Sequence, residues 1–552
     1  MKPLLAAAFF IPMSEDIENA VNQVVIVGGG SAGWITAGLL ASEYAANGGS
    51  EISVTLIESP DVKSIGVGEG TWPTMRSTLQ KIGISESQFL IECSASFKQG
   101  TKFIGWVTGN EYDYYYHPFS APAGYASINL VPFWQDQRDK VSFVDAVSVQ
   151  GLVCDGNLAP KQQTTPEFAH VANYAYHLDA GKFADLLQRH CTSELGVRHV
   201  LDHVTAINGT PDADIQSLST ANSGDIEGDL FVDCTGFAAL LLGKHYGVPY
   251  LDKQHILFND RALAVQVPYV DMSGAIASQT ISTAQSAGWV WDIGLTNRRG
   301  IGYTYSAHHT SDEDAAAALK HYIERTSGMA ADSFEPRKIS FQPGHREKFW
   351  HRNCVAVGMS AGFLEPLEAS ALVLVELAGR MISEELPANR SVMDIVAKRY
   401  NEKFRYRWDR IIDFLKLHYA LSHRSDSSYW IDNRDGESIP ESLQDLLELW
   451  HYHVPWHKDF SQVEEVFSAA SYQYVLYGMG FETRERAVSQ RASNAEKARQ
   501  LFAENSKKTQ QIVANLPGNR ELLTIIEEQG LPSSTAAYAQ ATGHSSLNRK
   551  NL

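Results

Sequence analysis

The sequence predicts an α/β (α+β) fold, with a Rossmann-like sheet, an antiparallel sheet and a mainly helical C-terminal module. Three observations lead to this prediction. A buried-strand pattern, a glycine-rich turn and a helical pattern follow one another over residues 23–46. Apolar and polar residues alternate over much of Tyr250–Gln342, which is typical of an antiparallel sheet. Beyond Ser391 the apolar positions have mainly helical spacing.

The composition is that of an ordinary globular protein and excludes several partners. Charged residues make up 20% of the 552 residues, and no apolar stretch is long enough to cross a membrane. The formal net charge of −18 disfavours binding to nucleic acid or to an anionic membrane. Five scattered cysteines without C-x-x-C spacing indicate reduced thiols in a cytoplasmic protein that has no metal site. The apolar run Leu4–Ile11 lacks a clean cleavage site, so we interpret it as an N-terminal extension.

Secondary-structure elements are predicted from local patterns along the chain. Continuous β-branched or apolar runs favour strands, and apolar positions three or four residues apart favour helices. The predicted strands are Gln23–Val27, Ile52–Ile57, Arg198–Ile207, Asp229–Val232 and Asn353–Val357. The predicted helices are Ser31–Ala46, Trp72–Ile82 and Asp179–Glu194, and Phe103–Trp134 is expected to be irregular.

A glycine-rich turn between the first strand and helix predicts a dinucleotide site. Residues 28–33 read GGGSAG, which fits the pattern G-x-G-x-x-G. Such glycines let a pyrophosphate approach the backbone, and the third glycine permits close packing of helix on sheet. An acidic residue at the end of the second strand can bind the ribose. The candidate cofactor contacts are Gly28, Gly30, Ser31, Ala32, Gly33 and Glu58.

Two later glycine turns favour FAD over NAD. Asp233 opens the run DCTGF after a strand, and the strand at residues 353–357 ends in Gly358. Flavoproteins with two dinucleotide folds carry such turns in this order, so Asp233 and Gly358 join the candidate contacts. We therefore expect an FAD-binding two-dinucleotide-fold module.

We expect four regions in the chain. The FAD-binding module carries inserted segments that face the substrate, at about 100–150 and 250–342, and a helical module covers the substrate. The expected bounds are 1–20 for the N-terminal extension, 21–390 for the FAD-binding module, 391–529 for the helical module and 530–552 for a flexible tail.

Four stretches in order make the chain resemble the flavin-dependent halogenases, most closely the tryptophan-halogenase branch. They read GVGEGTWP (66–73), YHLDAGKF (176–183), GWVWDIG (288–294) and GMSAGFLEPLEAS (358–370). The resemblance runs from about Val24 to Phe481 and adds Gly68 and Thr71 to the cofactor contacts. It implies that hypohalous acid is made at reduced FAD from oxygen and halide, and then travels through a tunnel to a separate aromatic substrate.

The resemblance also assigns the catalytic residues. Lys98 matches the family's catalytic lysine, which hydrogen-bonds the oxidant or forms a haloamine, and Glu368 matches its catalytic glutamate. Judged without the family, a lysine is usually a solvated surface group, and a glutamate here also suits a helix N-terminus near Pro366. The family's halide site falls on the backbone amides of Ser370 and Ala371, where this chain departs from the usual Thr-Gly.

Aromatic residues are the expected walls of the substrate site. Trp289 and Trp291 match the family's paired tryptophans between flavin and substrate, although Gly294 replaces the usual proline. His117 and Phe119 match the element that sandwiches an indole ring. Ordinary core packing is the alternative for all four. Further aromatic residues that could complete the pocket are Trp450, Trp456, Tyr472 and Tyr474.

The expected substrate is an electron-rich aromatic ring, with bromide or chloride as the halide. The paired tyrosines and acid that grip free tryptophan have no match here, which favours indole or an indole derivative over tryptophan itself. The absence of a second nucleotide motif implies a separate NAD(P)H-dependent flavin reductase. The oligomeric state stays open, with a homodimer as one alternative. The competing functions are a single-component flavin hydroxylase, a halogenase for carrier-tethered substrates, and a flavin-binding accessory protein without chemistry.

Overall fold

The computed structural model describes residues 20–45, 52–62, 68–110, 112–330, 334–462, 465–484 and 489–533. Several predictions therefore fall outside the described residues. These are the N-terminal extension up to residue 19, the last residue of the predicted first helix (Ala46), the first two positions of the stretch 66–73, and the tail from residue 534.

A six-stranded sheet, mostly parallel, holds the glycine turn. Its strands lie in the order Trp350–His351, Cys354–Ala356, Leu230–Asp233, Gln23–Val27, Ser53–Glu58 and Arg198–Leu201. The first two strands pair antiparallel and all other neighbours pair parallel. Apart from their first residues and Glu58, the two N-terminal strands are apolar or β-branched and largely buried, as expected for a sheet covered on both faces. The glycine turn follows at the carboxyl edge of this sheet.

The predicted antiparallel sheet is confirmed for residues 261–340, and it is larger than expected because Thr280–Gln285 also pairs, in parallel, with Gly100–Ile104. Its seven strands lie in the order Arg337–Ser340, Arg261–Pro268, Arg298–Tyr305, Gly288–Gly294, Thr280–Gln285, Gly100–Ile104 and Tyr114–Pro118. The last two strands show that the prediction of an irregular Phe103–Trp134 was wrong at its start. Here a hairpin between the two strands pairs Thr101 with His117, and non-local pairing overrides the weak local pattern.

A helix interrupts the region that was predicted to be sheet only. It spans Asp312–Ser327 and begins after Ser311, whose side chain accepts a hydrogen bond from the Asp314 N–H. Its buried residues, Ala315, Leu319, Tyr322 and Ile323, have helical spacing and pack on the sheet. This periodicity was missed because the surrounding strands dominate the pattern.

The predicted strand Arg198–Ile207 is two strands. Arg198–Leu201 belongs to the parallel sheet, whereas Val204–Asn208 pairs in a separate three-stranded sheet with Ser217–Thr220. Asp202 lies at the break, where its carboxylate accepts hydrogen bonds from the backbone N–H groups of Asn222 and Ser223. This local capping ends the first strand.

Three short strands join the two large sheets. Gly68–Gly70 and Ser96–Lys98 pair antiparallel on either side of Ala175–Asp179. A further three-stranded sheet contains Tyr250–Asp252, Gly344–Arg346 and Gly362–Phe363, and Asp225–Glu227 completes the sheet of Val204–Asn208. The first of these small sheets places Lys98 in the interior.

The C-terminal part is helical, as predicted, and shares the core of the preceding part. The principal helices of the chain are Ser31–Ala45, Thr74–Ile82, Glu86–Glu92, Ala180–Ser193, Ser370–Glu384, Arg390–Ala420, Glu441–Trp450, Ala469–Gly478, Ser489–Asn515 and Asn519–Gln529. One apolar cluster extends from Val24 in the first strand to Ile526 near the end of the described chain. Within the described ranges, no helix is both long and apolar enough to span a membrane.

Gly33→Ala is expected to destabilise the protein by about 1–3 kcal/mol, because a Cβ there forces the first helix away from its strand. This Cβ would lie 1.9 Å from the carbonyl oxygen of Gly28. The measurement is urea unfolding. Gly436→Ala is the matched control, since a Cβ at Gly436 meets nothing within 4 Å. Equal stability of the two variants would show that the helix does not need this close approach.

Candidate active site

The glycine turn opens into a cavity of about 1060 Å³. Gly28, Gly29 and Gly30 line it together with the first residues of the helix Ser31–Ala45, so backbone N–H groups and the positive end of the helix dipole face the cavity. The carboxylate of Glu58 lies over the turn, where a Cβ at Gly29 would come within 2.4 Å of both its oxygens. Backbone donors beside a carboxylate fit the pyrophosphate and ribose of a dinucleotide such as FAD.

Some predicted cofactor contacts line this cavity and others lie behind its wall. Gly68 and Gly358 line it, as do Ser31 and Ala32. The predicted contacts that do not line the cavity are Gly33, Thr71 and Asp233.

These three residues hold the cavity wall from behind. Gly33 provides the close approach of helix and strand. The Thr71 hydroxyl donates to the Tyr176 carbonyl oxygen and accepts from the Tyr176 N–H. The Asp233 carboxylate accepts the N–H groups of Leu241 and Leu242, which shapes the second glycine turn. Thr71 and Asp233 thus support the wall in this structure, and their direct contact with the cofactor stays a prediction.

The same cavity reaches the two candidate catalytic residues. Lys98 and Glu368 line it, as do Trp289 and Trp291. Both tryptophans project from one face of the strand Gly288–Gly294, with ring centroids 6.3 Å apart. The chain thus has a continuous space between its glycine turn and its buried lysine.

The glycine that replaces the usual proline does not disturb this wall. Gly294 continues the strand and pairs with Arg299. On the neighbouring strand, a Cβ at Gly302 would come within 2.0 Å of the Trp291 ring, so glycine makes room for this indole.

Lys98 is buried rather than solvated. Only 1% of its surface is exposed, and its Nζ lies 5.4 Å from the centroid of the Phe119 ring. Among the described residues its ammonium group has no hydrogen bond or ion pair. Burial lowers the pKa of Lys98 to about 8, against the opposing attraction of Glu368. The alternative of a surface lysine is therefore wrong, and Lys98 can exchange a proton close to neutral pH.

Lys98→Met is expected to stabilise the protein near neutral pH. The pKa of Lys98 falls from 10.5 to about 8 on folding, so its protonated form disfavours the folded state. The lowered pKa means that the buried ammonium group destabilises the folded protein by about 3 kcal/mol. This destabilisation is present in full below pH 8 and fades as the pH rises toward 10.5. Urea unfolding of wild type and variant, near neutral pH and at about pH 9.5, tests it. If the difference in the free energy of unfolding between Lys98→Met and wild type were as large at the higher pH, the assigned pKa would be contradicted.

Glu368 lies in a strained turn immediately before a helix. Glu368 (φ 60°) and Ala369 (φ 53°) both adopt the left-handed region, at a cost of roughly 1–3 kcal/mol each. The Trp72 indole N–H donates to the Glu368 carbonyl oxygen at 2.7 Å and helps to hold this turn. Such strain in the middle of a cavity wall is typical of a functional site.

The Glu368 carboxylate faces cationic and imidazole groups. His117 Nδ1 lies 2.9 Å from Oε1 of Glu368, and His418 Nε2 lies 3.5 Å from the same oxygen. Burial raises the pKa of Glu368, but His117, His418 and Lys98 lower it by more, and the net direction is downward. The carboxylate is therefore ionised at neutral pH and can accept a proton.

The predicted halide residues open the helix after this turn. Pro366 precedes a short 3₁₀ turn, Leu367–Ala369, and the α-helix itself begins at Ser370. Ser370 and Ala371 therefore occupy the first helical turn, where N–H groups lack partners within the helix. Both residues line the cavity, which suits an anion at this point.

His117 has a contact that the sequence did not predict. Its ring bonds to Glu368 and is 5.4 Å from the Phe414 ring and 6.2 Å from the Phe467 ring. In this structure His117 orients the Glu368 carboxylate. The sandwich of a substrate ring between His117 and Phe119 stays a prediction. Phe119 remains half-buried beside Lys98.

Residues from the C-terminal part were mostly missed. Phe467 packs on Trp72, with ring centroids 4.8 Å apart, and His418 accompanies Phe414 one helical turn away. The four-residue spacing of Phe414 and His418, which puts both rings on one face of a helix, is the sequence signal that could have identified them. Of the four aromatics proposed for the pocket, Tyr472 contacts Phe414, and Trp450 packs on Tyr472. The other two contact different rings: Trp456 packs on Tyr125, and Tyr474 packs on Phe143.

Comparison with known proteins places the chain. The family model described as tryptophan halogenase matches residues 23–494. A tryptophan halogenase structure from Shewanella frigidimarina NCIMB 400 is 50% identical, with a TM-score of 0.90 over 93% of this chain and 99% of that chain. BrvH, a flavin-dependent halogenase from Brevundimonas sp. BAL3, is 30% identical, with a TM-score of 0.80 over 92% and 99%. Tryptophan 7-halogenase RebH of Lentzea aerocolonigenes is 30% identical over 91% of this chain and 98% of its own length. The chain therefore belongs to the tryptophan halogenase family.

Proposed function

We propose that the protein is a flavin-dependent halogenase that oxidises halide at one part of its cavity and halogenates an electron-rich aromatic ring beside Lys98. The observation that carries this proposal is the continuous cavity, which has the glycine turn, the tryptophan pair and Lys98 with Glu368 on its walls. A flavin hydroxylase or a protein without chemistry needs neither the tryptophan pair nor a buried lysine.

The cavity residues suit FAD and a halide. Gly28, Gly30 and the start of the first helix would hold the pyrophosphate, and Glu58 the ribose. The free N–H groups of Ser370 and Ala371 would hold chloride or bromide. When reduced flavin is bound, its reaction with oxygen would supply the two-electron oxidation that turns halide into hypohalous acid. A separate NAD(P)H-dependent reductase would supply that flavin.

The chain's own residues then direct the halogen. Trp289 and Trp291 keep the aromatic substrate away from the flavin, while hypohalous acid is small enough to pass. Lys98 donates a hydrogen bond to this acid, or forms a haloamine with it, and so fixes where the halogen is delivered. Glu368, held ionised by His117, takes the proton that the halogenated ring must lose.

The substrate that fits these walls best is indole or an indole derivative. Phe119, whose ring centroid lies 5.4 Å from the Lys98 Nζ, offers a flat apolar surface beside the proposed site. The tyrosine pair and acid that would hold a free amino acid have no match in the sequence. We further propose that the FAD-binding module ends at residue 390 and the helical module begins at residue 391, that the protein is cytoplasmic, and that it forms a homodimer.

A small substrate panel tests the proposed function. Indole, tryptophan and phenol are each incubated with reduced flavin from a reductase, oxygen, and bromide or chloride, and the products are analysed by mass spectrometry. We expect a brominated or chlorinated indole that requires the halide. Hydroxylated indole without halogen would instead support the hydroxylase, and no product from any substrate would contradict both enzymes.

A further inference from the structure

A buried carboxylate outside the catalytic pair contacts the tryptophan wall. The Trp289 indole N–H donates a hydrogen bond of 2.9 Å to Oε2 of Glu365, which also lines the cavity. Glu365 is 2% exposed and Trp289 is 2% exposed. Neither the predicted catalytic residues nor the predicted cofactor contacts include Glu365.

The groups that contact the Glu365 carboxylate within the described chain are all donors. The amide nitrogen of Asn259 donates to Oε2 at 2.8 Å, and the Tyr419 hydroxyl lies 2.8 Å and 3.0 Å from the two oxygens. Burial raises the pKa of Glu365 in spite of these donors. Lys416, itself fully buried, lies nearby; burial lowers its pKa to about 7, and its Nζ donates to Asn433. With Trp289, Asn259 and Tyr419 on its two oxygens, the Glu365 carboxyl group is held in one orientation.

Glu365 also stands next to the strained catalytic turn. It precedes Pro366 and lies three residues before Glu368, whose left-handed backbone persists only if its surroundings hold it. The Trp72 indole fixes the middle of that turn through the Glu368 carbonyl oxygen. Glu365 fixes the beginning of the same turn, because its carboxyl group bonds to Trp289 and to Tyr419 on the long helix Arg390–Ala420.

We propose that Glu365 is a positioning residue that ties the Trp289 wall to the turn bearing Glu368, so that oxidant is kept on its path to Lys98. This inference rests on the proposed function. If the tie is removed, the Trp289 ring loses the bond that holds it, and the Glu368 carboxylate loses its fixed relation to the cavity. Oxidised halogen then escapes or decays instead of reaching the substrate.

The structural half of the proposal is tested without any activity. Two-dimensional NMR of protein with ¹⁵N-labelled tryptophan shows the indole N–H groups, and Trp289→Phe identifies the signal of Trp289. In Glu365→Gln an amide with one acceptor oxygen and an NH2 donor replaces the carboxyl group, so the Trp289 hydrogen bond weakens and this signal is expected to move upfield. Glu376→Gln is the matched control, because that buried carboxyl group accepts from Thr74 and Thr78 and has no hydrogen bond to Trp289 among the described residues. An unmoved Trp289 signal in Glu365→Gln would overturn the proposal.

The functional half is measured as coupling, the halogenated indole formed per reduced flavin consumed. In Glu365→Leu we expect coupling to fall at least about tenfold, with oxidised halogen captured by an added diketone trap and with flavin affinity unchanged. Glu365→Gln keeps the shape of the side chain and should lie between wild type and Glu365→Leu, which provides a folded variant if the leucine protein fails to fold. Wild-type coupling in Glu365→Gln, despite a moved NMR signal, would also overturn the proposal. A wild-type enzyme that halogenates nothing would instead contradict the proposed function and leave the NMR result intact as evidence for the bond.

Discussion

Lys98→Met should lower the rate of indole halogenation at least about 10³-fold while flavin still binds and halide is still oxidised. Lys98 lies in the cavity wall with its ammonium group free of hydrogen bonds and ion pairs to the described residues, so it is available to the oxidant. Methionine fills a similar volume without a polar group. Two products are measured in each reaction: the halogenated indole, and the free hypohalous acid that an added trap captures.

The control for this variant is a lysine close by that does not line the cavity. Lys102 lies on the strand Gly100–Ile104, and its Nζ bonds to Asp155 at 2.7 Å. Lys102→Met should halogenate indole at nearly the wild-type rate. If Lys98→Met instead retained the wild-type rate, its assigned role would be excluded.

Glu368→Gln should slow halogenation about 100-fold, because glutamine cannot accept the proton from the halogenated ring. The lowered pKa of Glu368 means that the wild-type carboxylate is ready for this step at neutral pH. Single-turnover rates with preformed reduced flavin isolate the effect from flavin supply. Flavin affinity should stay the same, since the glycine turn is untouched.

A second buried carboxyl provides the comparison for Glu368. Glu376 lies on the helix Ser370–Glu384 and accepts hydrogen bonds from Thr74 and Thr78, away from the cavity. Glu376→Gln should leave the single-turnover rate close to wild type. If Glu368→Gln and wild type reacted at equal rates, Glu368 would not be the proton acceptor. Its role would then be limited to its structural position before the helix.

Local features of the site could be predicted because the residues that form them are neighbours in sequence. The turn at residues 28–33 and the paired Trp289 and Trp291 follow from spacing alone: glycines allow the tight turn, and residues two apart on a strand share a face. The resemblance to the family added Lys98, in the run SFKQG, and Glu368, in the last of the four stretches. The structure brings both into one cavity, although they are 270 positions apart in the numbering.

Contacts between distant residues could not be predicted in this way. His117 and Glu368 bond across 251 positions, and Glu365 reaches Trp289 across 76. The left-handed backbone of Glu368 has no local signal, because glutamate is not a residue that favours this region. The strand Tyr114–Pro118 was missed although its three tyrosines favour strands. Its pairing with Gly100–Ile104, which makes it part of the sheet, has no local signal.

The central claim is that oxidant is made and used at separate places, with Trp289 and Trp291 between them. A crystal structure of the enzyme with both FAD and indole bound tests it most directly. We predict an indole ring beside Lys98 and Phe119, with the two tryptophan side chains between it and the isoalloxazine ring. An indole in van der Waals contact with the isoalloxazine, or a Lys98 side chain turned into bulk solvent, would contradict the claim.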